Sequence, residues 1–255
     1  MDEPKRIRAS ERSLTILRTL ADLGWASETE IADRIDLAKS TTHYHLKTLA
    51  DQSFVVETNG QYRISLSLLE LGHDAVDLLD VYDVGKQVVD RVARETGELC
   101  ILMVEERGYA YYVYDGRGAD AIAIDTLGKR ATLHDGATGK AVLAALPEER
   151  VDEIVAEHGL PATTERTITD REALDAELAA IRERGVAFDR EERLDGLHCV
   201  ATAVRHAGDT QPGAVYGAIG VMGPASRFTG DYFEEELPDV VSDAANLIEL
   251  DLQGY

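Results

Sequence analysis

The feature that most constrains this chain is a run of three short amphipathic segments followed by two strand-like stretches, all within residues 11–65. Leu14, Ile16, Leu17, Leu20 and Leu23 recur near a helical period after Ser10, which predicts a helix over 11–23. Ser27 and Glu30 have the spacing of a capping box, in which each side chain satisfies the other residue's free amide, and open a second helix over 28–35. After the break at Asp36-Leu37-Ala38, a third helix is expected over 39–51. It turns Thr42, His45, Leu46 and Leu49 inward and Lys39, Ser40, Thr41, His43, Tyr44 and Lys47 mostly outward. The stretch 54–65 then reads as two strands around Asn59-Gly60, a pair that tolerates the positive φ angles of a two-residue hairpin turn. Three helices and a hairpin in this order predict a winged helix-turn-helix, with the third helix as the recognition helix.

Residues 66–97 are again helical in pattern, with a break suggested by Gly72 and the stretch Asp80-Val81-Tyr82-Asp83. This gives a linker helix, apolar enough along its length to serve in dimerisation, and then the first helix of a second domain. From 98 the period shifts toward two. Strands are expected at 98–107 and 109–115 around an Arg107-Gly108 turn, and another at 121–125. Helices follow near 136–145, after Pro147 to about 157, and from a Thr169/Glu172 capping box to Arg184-Gly185. Closing strands lie in 186–192, 199–206 and 214–223, and a last helix spans 231–250. Because the last strands come without intervening helices, the fold class is α+β. It is a mostly antiparallel sheet flanked by helices, not a doubly wound nucleotide fold. The expected domains are a winged helix-turn-helix at 1–67, a linker helix at 68–80 and a sensor-like domain at 81–255.

Charge bears on partners. The 255 residues carry 48 Asp and Glu against 26 Lys and Arg, a formal charge of -22. Taken alone, that argues against nucleic acid. The excess is uneven, however: residues 1–78 hold nine basic and thirteen acidic side chains, residues 79–255 hold 17 and 35. Only six lysines occur, and acidic residues coat the polar faces of the expected helices. This reads as adaptation to a salt-rich cytoplasm, where screening tolerates self-repulsion. Apolar runs are too short to span a bilayer and the N-terminus lacks a signal-peptide core, so a cytoplasmic location without membrane partners is expected. Cys100 and Cys199 alone make no disulfide framework.

Four ordered blocks carry a family resemblance. The first is Asp36-Leu37-Ala38-Lys39-Ser40-Thr41-Thr42-His43-Tyr44-His45-Leu46, and the second Ala137-Thr138-Gly139-Lys140-Ala141-Val142-Leu143-Ala144. The third runs from Arg182 to Val204 with Gly185, Asp189, Glu191, Glu192, Gly196 and Cys199, and the fourth is Gly220-Val221-Met222-Gly223-Pro224. Together they resemble the IclR, or isocitrate-lyase-regulator, family of transcriptional regulators in an acid-rich form similar to haloarchaeal members. The resemblance implies a homodimeric or homotetrameric DNA-binding repressor or activator. Its C-terminal domain is then GAF-like and binds a small effector such as a carboxylate, an aromatic acid or a sugar-derived metabolite. Three departures stand out: Tyr44 replaces the family's recognition-helix Arg, Ala203 a proline, and Gly220 and Met222 two serines.

For DNA, the candidate contacts are Lys39, Ser40, Thr41, His43, Tyr44 and Lys47, with Arg63 on the hairpin, Arg12, and the Lys5/Arg6/Arg8 arm as backbone contacts. Tyr44 can pack on a thymine methyl but cannot make an Arg's bidentate contact with guanine. For the effector, the resemblance carries over Ala137, Thr138, Gly139, Asp189, Cys199, Gly220 and Met222, with Ala121 and Ala123 as an apolar wall on a nearby strand. Lys140 is expected as a surface lysine or salt-bridge partner, and Glu191 and Glu192 as loop anchors. The missing serine hydroxyls argue against a small keto-acid. An enzyme is not expected, because no motif orders a Cys199–His dyad. Nor is a metal, because His134, His198, Cys199 and His206 lack close ligand pairs. No cofactor is expected, since Gly139-Lys140 lacks the P-loop frame. The reading is a ligand-responsive regulator binding a near-palindromic double-stranded operator. The alternative is a metabolite sensor whose winged helix contacts proteins.

Overall fold

A computed structural model describes residues 6–206 and 215–254, which divide into two compact units, Met1–Leu78 and Leu79–Tyr255. In the first, α1 (Arg8–Leu23), α2 (Glu28–Arg34) and α3 (Lys39–Asp51) accompany a three-stranded antiparallel sheet. Its strands are β1 (Ala26–Ser27), β2 (Val55–Thr58) and β3 (Gln61–Ile64), in the order β1-β3-β2. The capping box forms: the Ser27 amide donates to Glu30 Oε2 at 2.7 Å and the Glu30 amide to Ser27 Oγ at 3.3 Å. Asn59 and Gly60 take φ of 52° and 76°, as their hairpin turn requires. Ile16, Leu20, Ile31, Leu46, Leu49, Val55 and Tyr62 make the core. His45 is half-buried, its Nδ1 2.8 Å from Ser13 Oγ, so it ties α3 to α1. The unit ends in α4 (Ser67–Val76), none of whose residues is buried.

In the second unit a six-stranded sheet has every strand pair antiparallel. It comprises β4 (Leu99–Glu106), β5 (Tyr109–Arg117), β6 (Arg130–Thr132), β7 (Ala187–Arg190), β8 (Leu197–Arg205) and β9 (Val215–Pro224), in the order β6-β5-β4-β9-β8-β7. Alternation along the strands sends Leu99, Ile101, Met103, Cys199, Ala201 and Met222 to one face. There α6 (Ala137–Ala145), α7 (Glu148–His158) and α8 (Arg171–Arg184) cover them. On the other face lie α5 (Asp80–Thr96), against β4 and β5, and α9 (Leu237–Leu252), against β8 and β9. Apolar residues on both faces explain the near-continuous burial of β4 and β9.

Four expectations are corrected. Residues 121–125 are not a strand. The edge of β5 is already paired with β6, and Arg117 donates to the carbonyls of Ile122 at 3.3 Å and Ile124 at 2.7 Å, satisfying a backbone that has no neighbouring strand. The break before α5 falls at 77–79, with Gly72 inside α4, because Asp80 and Asp83 favour a helix start after Leu79. Asp170, not Thr169, caps α8: its carboxylate accepts the Ala173 amide at 3.0 Å, and an ionised oxygen outcompetes a hydroxyl one residue away. Finally, the last helix begins as a π-helical turn, Tyr232–Glu236, ahead of Pro238, which has no amide to continue the α-helical ladder.

Gly139 has a packing role. A Cβ there would lie 2.1 Å from the Leu133 carbonyl oxygen and 2.6 Å from Leu133 Cα, so α6 starts against bare backbone. Gly139→Ala should cost roughly 1–3 kcal/mol or more, since backbone and not a flexible side chain must move. A denaturant midpoint unchanged from the parent would contradict this.

Candidate DNA interface and effector site

The first turn of α3 is capped by Ala38, which has no side-chain acceptor, while the Thr41 and Thr42 amides both bond the Ala38 carbonyl. The Lys39 and Ser40 amides therefore sit at an open, positive helix end, the usual place for a phosphate. Lys39, Ser40, His43, Tyr44 and Lys47 are exposed and Thr41 half-buried, while Thr42, Leu46 and Leu49 hold the opposite face in the core. Tyr44 is 70% exposed, unusual for an aromatic without a partner molecule. His43 is committed in part, with Nδ1 2.9 Å from Glu28 Oε2. Arg63 is also held: its guanidinium lies 5.4 Å from the Trp25 ring centre and donates to the Ile64 carbonyl at 2.8 Å. Trp25, half exposed beneath this wing arginine, was not among the expected residues, although it is the chain's single tryptophan. Arg12 and Arg8 are exposed and Arg6 lies 3.9 Å from Glu11, while Lys5 falls outside the described residues.

The second unit brings most of the expected effector residues together. Asp189, Cys199 and Met222 are cross-strand neighbours on β7, β8 and β9, and Gly220 pairs with Ala201 two residues along the strands, on the same face. Above them α6 begins with Ala137, Thr138 and Gly139, all buried, after Gly136, which provides no side-chain cap. Thr138 Cγ2 and Ala201 Cβ are each 3.0 Å from where a Cβ on Gly220 would stand, so glycine lets α6 settle onto β9. Ala121 is half-buried against this core, but Ala123 is exposed and does not join it, a consequence of the irregular 121–126 backbone.

Around them stand charged residues outside the expected effector set, of which Asp135 and Arg193 were not foreseen. Lys140 is only 1% exposed; its Nζ lies 2.6 Å from both Glu192 carboxylate oxygens and 3.6 Å from Glu177. It is a salt-bridge partner, but not at the surface. Arg193, mostly buried, donates to Asp135 at 3.0 and 3.2 Å, and its guanidinium lies 5.4 Å from the ring centre of buried Tyr112. Thr163 Oγ1 donates to the same Asp135 at 2.9 Å. The segment from Glu191 to Gly196 is pinned throughout. Thr164 Oγ1 donates to the Glu191 carbonyl at 2.7 Å and Thr167 Oγ1 to that of Glu192 at 2.6 Å, while Glu191 accepts the Gly196 amide at 2.8 Å. Burial, and then the nearby Glu192 charge, push the Asp189 carboxyl up to about 7, even though its Oδ1 accepts the Glu192 amide at 2.7 Å. Burial likewise raises the Tyr112 phenol to about 12 and keeps Cys199 a thiol, which denies it nucleophilic character.

Family models match both units: the "IclR helix-turn-helix domain" over residues 9–58 and the "Bacterial transcriptional regulator IclR C-terminal" over 73–250. The chain belongs to the IclR family of transcriptional regulators. Among similar proteins are the repressor AllR of Klebsiella pneumoniae and the regulator ArcR of Halobacterium salinarum. AllR is 32% identical, with 95% of this chain and 89% of AllR covered; ArcR is 28% identical, with 98% and 96% covered. The crystal structure of the Thermotoga maritima IclR matches at a TM-score of 0.76 and 27% identity, over 97% of this chain and 98% of that one. This IclR-family chain is thus a transcription factor and not an enzyme. Among its described residues no helix is long and apolar enough to cross a membrane.

Asp189 gives a pH test. Its folded-state affinity for a proton exceeds the ordinary value of 3.8, so the folded protein binds more protons than the unfolded chain between there and about 7. Stability therefore falls as pH rises through that window and levels off above it. Asp189→Asn, which keeps an acceptor for the Glu192 amide, should flatten this slope, so that its Tm gains on the parent's up to neutral pH. Parallel Tm profiles for the two proteins would show that Asp189 does not titrate this way.

Proposed function

We propose that this IclR-family regulator binds a near-palindromic operator as a dimer or tetramer. In this reading the GAF-like second unit senses a small metabolite that biases DNA binding, and the protein works in a salt-rich cytoplasm. The observation that carries DNA binding is the α3 face: two lysines, two hydroxyl residues and an exposed tyrosine around an uncapped helix start, backed by buried Thr42, Leu46 and Leu49. Lys39 and Lys47 neutralise phosphates, Tyr44 reads a base edge or thymine methyl, and Arg63 on the wing reaches a flanking phosphate or the minor groove. Arg12 contributes to the backbone. Assembly is supported by α4, where Leu69 and Leu71 are exposed between exposed Leu66 and Leu78. Exposed leucines on opposite sides of α4, in a chain otherwise coated with acids, are covered most simply by a second copy. The effector place is the convergence of Ala137, Thr138, Asp189, Cys199, Gly220 and Met222, edged by Ala121.

Selection from a random double-stranded DNA pool in molar KCl should enrich a palindrome whose half-site spacing reports the dimer geometry. Lys39→Ala and Lys47→Ala should each weaken binding evenly across sequences and reduce the salt slope by about 1, while Tyr44→Ala should relax preference at one position, by about 1–3 kcal/mol. Recovery of no enriched sequence by a folded, assembled protein, with or without pooled metabolites, would sink the DNA reading. Leu69→Glu should lower the oligomeric state in sedimentation without unfolding the monomer. A mass equal to the parent's would remove α4 from the interface.

A further inference from the structure

The wing sheet carries a cation that the chain itself leaves unpaired. β1 and β3 run antiparallel, with Ala26 opposite Tyr62 and Ser27 opposite Gln61. Ala26 and Tyr62 are buried in the core. One step further along both chains, alternation therefore turns Trp25 and Arg63 to the outer face, across from one another. There the Arg63 guanidinium lies 5.4 Å from the Trp25 ring centre, within cation–π range, and one of its N–H groups donates to the Ile64 carbonyl at 2.8 Å. Trp25 stays 50% exposed. No ion pair to Arg63 occurs among the described residues, in a chain whose 48 Asp and Glu outnumber its 26 Lys and Arg. A half-buried arginine stacked on a ring and tied at one edge keeps a fixed plane, and its remaining donors are unspent.

Resting on the DNA-binding reading above, we propose that Trp25 is the positioning residue of the wing, and that Arg63, set by it, meets a backbone phosphate beside the groove that α3 enters. Arg63 stands three residues behind Gly60 of the turn, roughly 10 Å back along the strand, which places it at the sugar–phosphate chain and not on the groove floor. Its planar fork of donors matches phosphate oxygens. A free arginine loses its rotamer freedom when it binds. One already stacked on an indole has lost that freedom on folding, so the contact forms at a smaller entropic cost. The indole also keeps water from one face of the guanidinium, which strengthens its charge at contact, the range that strong salt leaves open.

Trp25 is the chain's single tryptophan, so its fluorescence reports on this place alone. A random pool of duplexes about three helical turns long is titrated into the full protein at graded KCl, down to the lowest concentration that keeps it folded. A phosphate contact needs no particular operator. Bound DNA should reduce acrylamide quenching of Trp25, because the phosphate chain then covers the stack; quenching unchanged by bound DNA overturns the proposal. Trp25→Leu should weaken binding about three- to tenfold, and Trp25→Phe, which keeps a ring under the guanidinium, should restore most of it. Arg63→Met should also take about 1 off the salt slope. In the Arg63→Met background, Trp25→Leu should change nothing further. Equal losses in both backgrounds, or Trp25→Phe as weak as Trp25→Leu, reduce the ring to a structural part and refute the positioning role. Should Trp25→Leu fail to fold, Arg63→Lys decides: it keeps the charge without the planar face, and binding equal to the parent's refutes the stack. A folded parent that binds no DNA at any salt concentration sinks the DNA-binding reading and this inference with it, whereas the other adverse outcomes, obtained with the parent bound, concern Trp25 alone.

Discussion

The buried ammonium of Lys140 organises the second unit. It stands on the first turn of α6, takes both oxygens of Glu192 from the segment after β7, and lies near Glu177 of α8. Three pieces of chain far apart in sequence are thereby held to one point. A lysine this deep is tolerated only because its partners are fixed in turn: Glu192 through its amide on Asp189 and its carbonyl on Thr164 and Thr167, Glu177 through Arg184. Removing one partner of such a pair typically costs about 3–5 kcal/mol, because the other charge stays buried. The seat of α6 on the sheet, its bare glycine contact with Leu133, and the place of Asp189 before Gly136 all depend on that anchoring.

The same residues explain how a strongly acidic chain keeps two chemically different surfaces. Acidic side chains crowd the exterior of the second unit, whereas the first carries a much smaller excess and exposes lysines on α3. Net charge governs solubility and long-range approach, while contact chemistry is local. A polyanion can therefore present a DNA-binding face, provided that face is small and its lysines stay clear of carboxylates. Among the described residues neither Lys39 nor Lys47 has an ion-pair partner, whereas His43 is held by Glu28.

Much of this was legible in the sequence, for reasons that are local. The bounds of α3, the capping box at Ser27 and Glu30 and the Asn59-Gly60 turn depend on residues within a few positions of each other. The buried Thr42, Leu46 and Leu49 follow from a 3.6-residue period. The blocks around Ala137 and Asp189 placed the convergence of α6 with β7, β8 and β9. What failed was non-local. Alternation at 121–125 states that a strand is possible but not that an edge is free, and the edge of β5 was taken by β6. The pair Arg193–Asp135 spans 58 positions and Lys140–Glu192 spans 52, so no window along the chain contains them. Tyr112 is one of four tyrosines in β5, and only the packing of the folded sheet places it in the core shared with α6.

Salt sets the two sites apart. In a concentrated electrolyte the Debye length shrinks to about 3 Å at 1 M, so the exposed lysines of α3 act only on charges in direct contact with them. The ammonium of Lys140, only 1% exposed, is shielded from that solution where α6 packs on the sheet, and the strength of its pair is set by the protein's own low dielectric.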